Sequence, residues 1–235
     1  MKIGSALIRA NPKKEWAVKL KREVEVFLVQ RGVKVGGEGD VLITIGGDGT
    51  LLYNKNKYNK PVFGIGNERS FICQSNYKNW REVLGRLLRK NRVERRSMLE
   101  CCSAGKKYEN ALNEVCIRSN DHRLVEFNLS FDGRHAAFRA DGVLFSTPTG
   151  STAYAYSCGA PELPPTARKY EVVPIAPYRR RFKPAVLPNS AKCEVVVIKG
   201  NADLVIDGQF IHHVKLNSKI NVQISKKTFS LLKPA

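Results

Sequence analysis

The sequence predicts an α/β domain followed by an all-β domain. Three observations carry that prediction. Short β-branched apolar runs alternate with helical periodicity over about the first ninety residues, strict apolar/polar alternation takes over from about residue 93, and Asp-Gly pairs punctuate the second half as hairpin turns. The expected division is residues 1–92 as the α/β domain, 93–225 as the β-rich domain, and 226–235 as a C-terminal segment packing back on the first.

In chain order, residues 2–9 form the first strand, and Asn11-Pro12 then opens a helix with proline at a tolerated first-turn position. Trp16, Leu20, Val24, Phe27 and Leu28 fall on one face of that helix. Strand signals follow at Val33–Val35, Val41–Ile45 and Pro61–Ile65, and Asn76 to Lys90 reads as a second amphipathic helix with Trp80, Val83, Leu84, Leu87 and Leu88 on its stripe. Alternating β and α units argue for a parallel sheet flanked by helices, whose ligands bind at the carboxyl ends of strands. In the second half, strand-like runs recur at 111–118, 125–131, 136–146, 170–176, 193–199, 202–206, 209–216 and 219–224, with turns at Asp132-Gly133 and Asp207-Gly208.

Composition narrows the function classes. No apolar stretch approaches the roughly 18–20 residues that span a bilayer. The N-terminus lacks the long apolar region and cleavage site of a signal peptide, so a cytoplasmic location is expected. Cysteines 73, 101, 102, 116, 158 and 193 form neither C-x-x-C nor a zinc-spaced cluster and read as reduced structural thiols. A net charge of +19 draws anions such as nucleotides, polyphosphate or nucleic acid. Nothing resembles an RNA-recognition motif, zinc finger or helix-turn-helix reading face, so a nucleic-acid partner is not expected.

Two clusters carry the chemistry. Gly46-Gly47-Asp48-Gly49-Thr50 follows directly on the strand Val41–Ile45. Bare glycine backbone lets a phosphate approach N–H groups closely, whereas the Asp48 carboxylate would repel it and must meet a hydroxyl or a metal ion. A phosphate cradle holding a carboxylate points to phosphoryl transfer. The second cluster runs from Arg139 through Asp141-Gly142 to Ser146-Thr147-Pro148-Thr149-Gly150-Ser151-Thr152-Ala153-Tyr154, a strand entering a hydroxyl-dense turn. Such residues cap helices or bond a ligand's hydroxyls and phosphates. Asn113-Glu114 interrupts an apolar run, and a buried polar side chain there needs partners.

Together these segments resemble the NAD kinase family, whose hallmarks are a GGDGT loop, an Asn-Glu pair and a D-G-x-x-x-S-T-P-T-G-S-T-A-Y stretch; all three occur here in order. The resemblance extends over roughly residues 1–225, with weaker echoes at Val173–Pro177, Phe182–Ser190 and Asp207-Gly208-Gln209. It implies an N-terminal Rossmann-like α/β domain, a C-terminal β-sandwich-like domain, and association into homodimers or homotetramers. It implies transfer of the terminal phosphoryl group of ATP, or of inorganic polyphosphate, to the 2′-hydroxyl of the adenosine ribose of NAD, with a divalent metal, magnesium being expected. Carried over by position, Asp48 is the catalytic base or hydroxyl-orienting group, and Gly46, Gly47, Gly49 and Thr50 bind donor phosphates. NAD contacts fall on Asp48, Gly49, Phe71, Asn113, Glu114, Arg139, Asp141, Thr149, Thr152, Ala153, Tyr154 and Ser157, and no residue is assigned as a metal ligand. The chain departs from the pattern at Gly64–Phe71, which lacks later glycines, and at Tyr178, where the family has histidine and Arg179-Arg180-Arg181 follows. A GGDGT lipid kinase and a nucleic-acid-binding protein on a kinase-like fold remain the alternative readings.

Overall fold

A computed structural model describes residues 1–235. The chain divides into one unit of residues 1–95 with 229–235 and a second of residues 96–228.

The first unit begins with β1 (Ser5–Ala10), α1 (Glu15–Val29), β2 (Lys34–Val35), β3 (Val41–Ile45), α2 (Asp48–Asn54), β4 (Val62–Gly66), β5 (Ser75–Asn76), α3 (Trp80–Arg89) and the first part of β6 (Asn91–Ser103). The strands β2, β1, β3 and β4 lie side by side in that order, all parallel, as a chain of βα units requires. The face carrying Ala6, Ile8, Ile43, Ile45, Phe63 and Ile65 packs against Leu20, Val24 and Phe27 of α1 and Trp80, Leu84 and Leu87 of α3. Phe27 and Trp80 meet edge to face with centroids 5.2 Å apart. This is the expected Rossmann-like arrangement, and it puts the end of β3 at the rim where Gly46 begins.

Two helix starts differ from the sequence reading. Helix α1 starts at Glu15 rather than at Pro12, because the Asn11 side chain accepts the Lys13 N–H at 3.0 Å and closes a local turn first. Helix α3 starts at Trp80 rather than at Asn76, which ends β5 and whose side chain accepts the Lys78 and Asn79 N–H groups in the same kind of turn.

The second unit takes the rest of β6, then β7 (Lys106–Lys107), β8 (Glu114–Ser119), β9 (Val125–Phe131), β10 (Arg134–Ala140), β11 (Gly142–Ser146), α4 (Tyr154–Ser157), β12 (Lys169–Ile175), β13 (Ala185–Pro188), β14 (Lys192–Lys199), β15 (Ala202–Ile206), β16 (Phe210–Val214) and the start of β17 (Lys219–Pro234). One antiparallel sheet runs β13-β12-β11-β8-β15-β16, and β10, β9, β14 and β17 are ordered together in another. Val115, Ile117, Phe145 and Val172 from the first pack with Phe127, Leu129, Val195 and Val222 from the second in one core, the β-sandwich-like domain expected. Both Asp-Gly turns are present with left-handed backbone, φ being 48° and 71° at Asp132-Gly133 and 50° and 62° at Asp207-Gly208.

The run 136–146 is not one strand. It breaks at Asp141, where the chain leaves the β9–β10 sheet and enters the other as β11. Gly142 permits that crossing, since a Cβ there would lie 2.7 Å from the Ile117 carbonyl oxygen. The last strand is also longer than the 219–224 reading, continuing to Pro234, and Leu231 pairs with Val62 in the first unit.

Candidate active site

In the first unit the site is the turn after β3. Gly46 holds φ +143°, and a Cβ there would lie 2.4 Å from Thr50 Oγ1 and 2.7 Å from Asn11 Cβ. Gly47, at φ +100°, precedes α2, and Gly49 is exposed on it. Asp48 opens that helix and directs its carboxylate at the segment after β4. Oδ2 accepts the Phe71 N–H at 2.7 Å, and Oδ1 accepts those of Ile72 and Cys73 at 3.1 and 3.0 Å. The altered segment 64–71 is thereby clamped, leaving the Phe71 side chain 80% exposed beside Asp48. Lys14 Nζ donates to the Gly46 carbonyl at 2.6 Å, placing a cation at the glycine turn. Thr50 is buried beside Gly46, and its hydroxyl oxygen has no hydrogen-bond partner in the protein. Burial, reinforced by the Asp48 carboxylate, pushes the Cys73 thiol far up and leaves it unreactive.

In the second unit the two sequence motifs are laced together. The Asp207 carboxylate accepts the N–H groups of Leu112, Asn113 and Glu114 at 2.9, 2.7 and 3.0 Å. The Asn113 carbonyl accepts the Thr147 N–H at 2.8 Å, and the Thr147 hydroxyl donates to Leu112 O. The same hydroxyl oxygen accepts the N–H groups of Thr149 and Gly150, each at 3.1 Å. A Cβ at Gly150 would stand 2.2 Å from the Asn113 carbonyl oxygen, so only glycine allows this approach. The buried guanidinium of Arg96 donates to Thr149 Oγ1 at 3.3 Å. Ser151 Oγ donates to Pro148 O at 2.9 Å and accepts the Leu163 N–H at 2.9 Å.

This lacing uses backbone and hydroxyl groups and leaves other atoms open. Asn113 Oδ1 is buried with no hydrogen-bond partner in the protein. Thr152 and Ser157 are exposed, Ala153 and Tyr154 half-buried, and burial raises the Tyr154 phenol. Asp141 is exposed at the crossing between the sheets. Arg139 lies on β10, in the other sheet from Glu114, with its guanidinium 4.5 Å from the Tyr178 ring centroid. Asn113, Glu114, Thr149 and the start of the 150–157 segment are therefore brought together, while Arg139 stands with Tyr178.

Sequence reasoning missed Lys14, Arg96 and Asp207 as site residues. Asp207 had a signal as half of an Asp-Gly turn, but what its carboxylate holds depends on pairing across 93 to 95 positions. The chain contains no group of three or more His, Cys, Asp or Glu able to hold a metal ion by itself. A divalent ion would have to arrive with the phosphates of its substrate, the usual habit of magnesium.

Residues 112–233 match the family model for the ATP-NAD kinase C-terminal domain. The NAD kinase of Treponema denticola is 34% identical over 233 residues, covering 86% of this chain and 81% of the relative. That of Paraburkholderia phymatum is 35% identical over 213 residues, covering 86% and 71%. Among solved structures, a yeast NADH kinase complexed with NADH superposes with TM-score 0.88 at 19% identity, covering all of this chain and 84% of the other. An Archaeoglobus fulgidus NAD kinase in complex with ATP superposes with TM-score 0.82 at 28% identity, covering 98% and 93%. Motifs, geometry and relatives agree, and the chain belongs to the NAD kinase family.

Proposed function

We propose that the protein transfers the terminal phosphoryl group of ATP to the 2′-hydroxyl of the adenosine ribose of NAD, giving NADP and ADP. The observation that carries the reading is Asn113: its backbone is fixed by Asp207 and Thr147 while its buried Oδ1 stays unpartnered, an acceptor held in place for a ligand. Asn113 and Glu114 then grip the dinucleotide, with Thr149, Thr152, Ala153, Tyr154 and Ser157 supplying further contacts, and Asp141 and Arg139 assigned by motif. Phe71 offers an exposed ring on which a base can stack.

Asp48 orients the ribose. A carboxylate oxygen has two lone pairs, and Oδ2 carries one N–H bond where Oδ1 carries two. Oδ2 can therefore accept the 2′-hydroxyl without releasing the 71–73 segment. As the ribose oxygen bonds to the γ-phosphorus and the bond to the β-phosphate oxygen breaks, the hydroxyl proton passes to Asp48 and then to water. Gly46, Gly47 and Gly49 leave backbone room for donor phosphates, and Lys14 adds positive charge there. A divalent ion bound to the ATP phosphates would neutralise charge on them; the chain offers no cluster that holds one alone. Inorganic polyphosphate is the second donor to compare. The six free cysteines suit a reducing, cytoplasmic compartment, and the family resemblance suits a homo-oligomer.

The test is initial-rate NADP formation from NAD and magnesium with either donor. Asp48→Asn should lower kcat about 100-fold or more while changing each KM only a few-fold. Asn113→Ala should raise KM for NAD about tenfold and leave KM for the donor unchanged, the loss expected for one buried hydrogen bond. Near-normal kcat in Asp48→Asn, or equal effects of Asn113→Ala on both substrates, would overturn these roles.

A further inference from the structure

One buried acid has no part in this mechanism. Glu171 on β12 is 0% exposed, and neither carboxylate oxygen has a hydrogen-bond partner in the protein. Buried polar groups are nearly always paired, so an orphan carboxyl in the middle of a sheet asks for a role. Its position is specific. Across the antiparallel strands β8, β11 and β12, Ser146 is directly opposite Glu114 on one side and Glu171 on the other. Directly opposed residues project to the same face with Cβ atoms about 5 Å apart. Glu171 is thus flanked by the first hydroxyl of the Ser146–Tyr154 run and stands two strands from Glu114. The same face carries Cys116, Leu144 and Val173, which pack under Ala155 and Ala160 of the covering segment. Glu171 therefore lies in the floor on which the NAD-contacting segment rests.

We propose that Glu171 is a positioning residue for that segment, keeping Ser146–Tyr154 seated while neutral and loosening it on ionisation, so that NAD binding weakens as pH rises. The inference rests on the assignment of Thr149, Thr152, Ala153 and Tyr154 to NAD made above. Burial lifts the Glu171 carboxyl to about 7, so the change of state falls near neutral pH. No counter-charge meets it across the strands: β11 presents Ser146 and β13 presents Val186. The ionisable groups on this face are Lys169 on β12, Glu114, Cys116 and Arg118 on β8, Asp203 on β15, His213 on β16, and Tyr154 and Cys158 from the covering segment. Cys116 and Tyr154 are themselves raised by burial and stay neutral through this range. An ionised, unpaired Glu171 is relieved only by letting water in, and the covering segment is what must give way.

The experiment compares wild type with Glu171→Gln from pH 5.5 to 8.5 at constant ionic strength. If only the neutral state seats the segment, the wild-type KM for NAD rises about 30-fold over this range. The variant should stay flat within about twofold, while KM for ATP follows one profile in both proteins. Amide hydrogen exchange of residues 147–160, corrected for the intrinsic pH dependence, should lose protection with rising pH in wild type only. Parallel pH profiles for KM and for exchange in the two proteins would overturn the proposal. If neither protein binds NAD, the binding assignments fail and the exchange comparison alone decides the role of Glu171. If Glu171→Gln does not fold, Glu171→Met supplies the non-ionisable comparison.

Discussion

Three carboxylates show how differently one chemical group can be used. Asp48 and Asp207 each accept three consecutive backbone N–H groups from a distant segment, a geometry that fixes the segment. Glu171 accepts none, and burial holds its carboxyl at about 7 instead of the 4.5 of a free side chain. The consequence for stability has a definite sign. Below pH 4.5 the group is protonated in folded and unfolded chains alike; as pH rises towards 7 the unfolded chain releases its proton while the fold retains it. Stability therefore falls across that window and levels off above it, by about 3 kcal/mol for a shift of this size. Glu171→Gln cannot titrate, so its unfolding free energy in urea should gain on wild type by about 3 kcal/mol between pH 4.5 and 8. A difference between the two proteins that stays constant with pH would mean that the carboxylate finds solvation in the fold.

The glycine turn after β3 is the element on which the chemistry depends, and its first glycine is the least replaceable. Gly46→Ala meets both a positive φ and two atoms within 2.7 Å, Thr50 Oγ1 and Asn11 Cβ. It should destabilise the protein by about 2 kcal/mol or more and lower activity, read by denaturant melts and NADP formation. Gly47→Ala meets only the φ penalty, its nearest neighbour being 3.4 Å away, and should be milder. This turn was legible in the sequence because a buried β-branched run ending in Gly-Gly-Asp-Gly has few other uses. Strand β6 was not, because Arg92, Glu94, Arg95 and Arg96 hide its alternation under charge. The hydroxyls of the Ser146–Tyr154 run could be read as capping groups or as ligand contacts, and three of them hold the turn itself: Ser146, Thr147 and Ser151 are fully buried and bonded to backbone. The residues that fix the site from outside, Asp207 and Lys14, were illegible because their partners are set by sheet order rather than by sequence neighbours.

For the whole molecule the governing quantity is a net charge of +19, against which the site itself is modest in cations. Few of the lysines and arginines lie at the motifs; Lys14 and Arg96 are the two that the hydrogen bonds place there. Both proposed substrates carry net negative charge, ATP more of it than NAD, so the remaining charge acts at a distance, raising their concentration near the protein rather than holding them in the site. That division has a measurable signature. Long-range attraction is screened over about 10 Å at 0.1 M salt and about 3 Å at 1 M, while contacts inside a bound complex are far less sensitive. Between 50 and 500 mM sodium chloride, with magnesium held constant, kcat/KM should fall about tenfold for ATP and by less for NAD, and kcat should change less than about twofold. If kcat falls instead while kcat/KM is flat, the charge acts on the chemical step, and the field of the whole molecule is not what gathers its substrates.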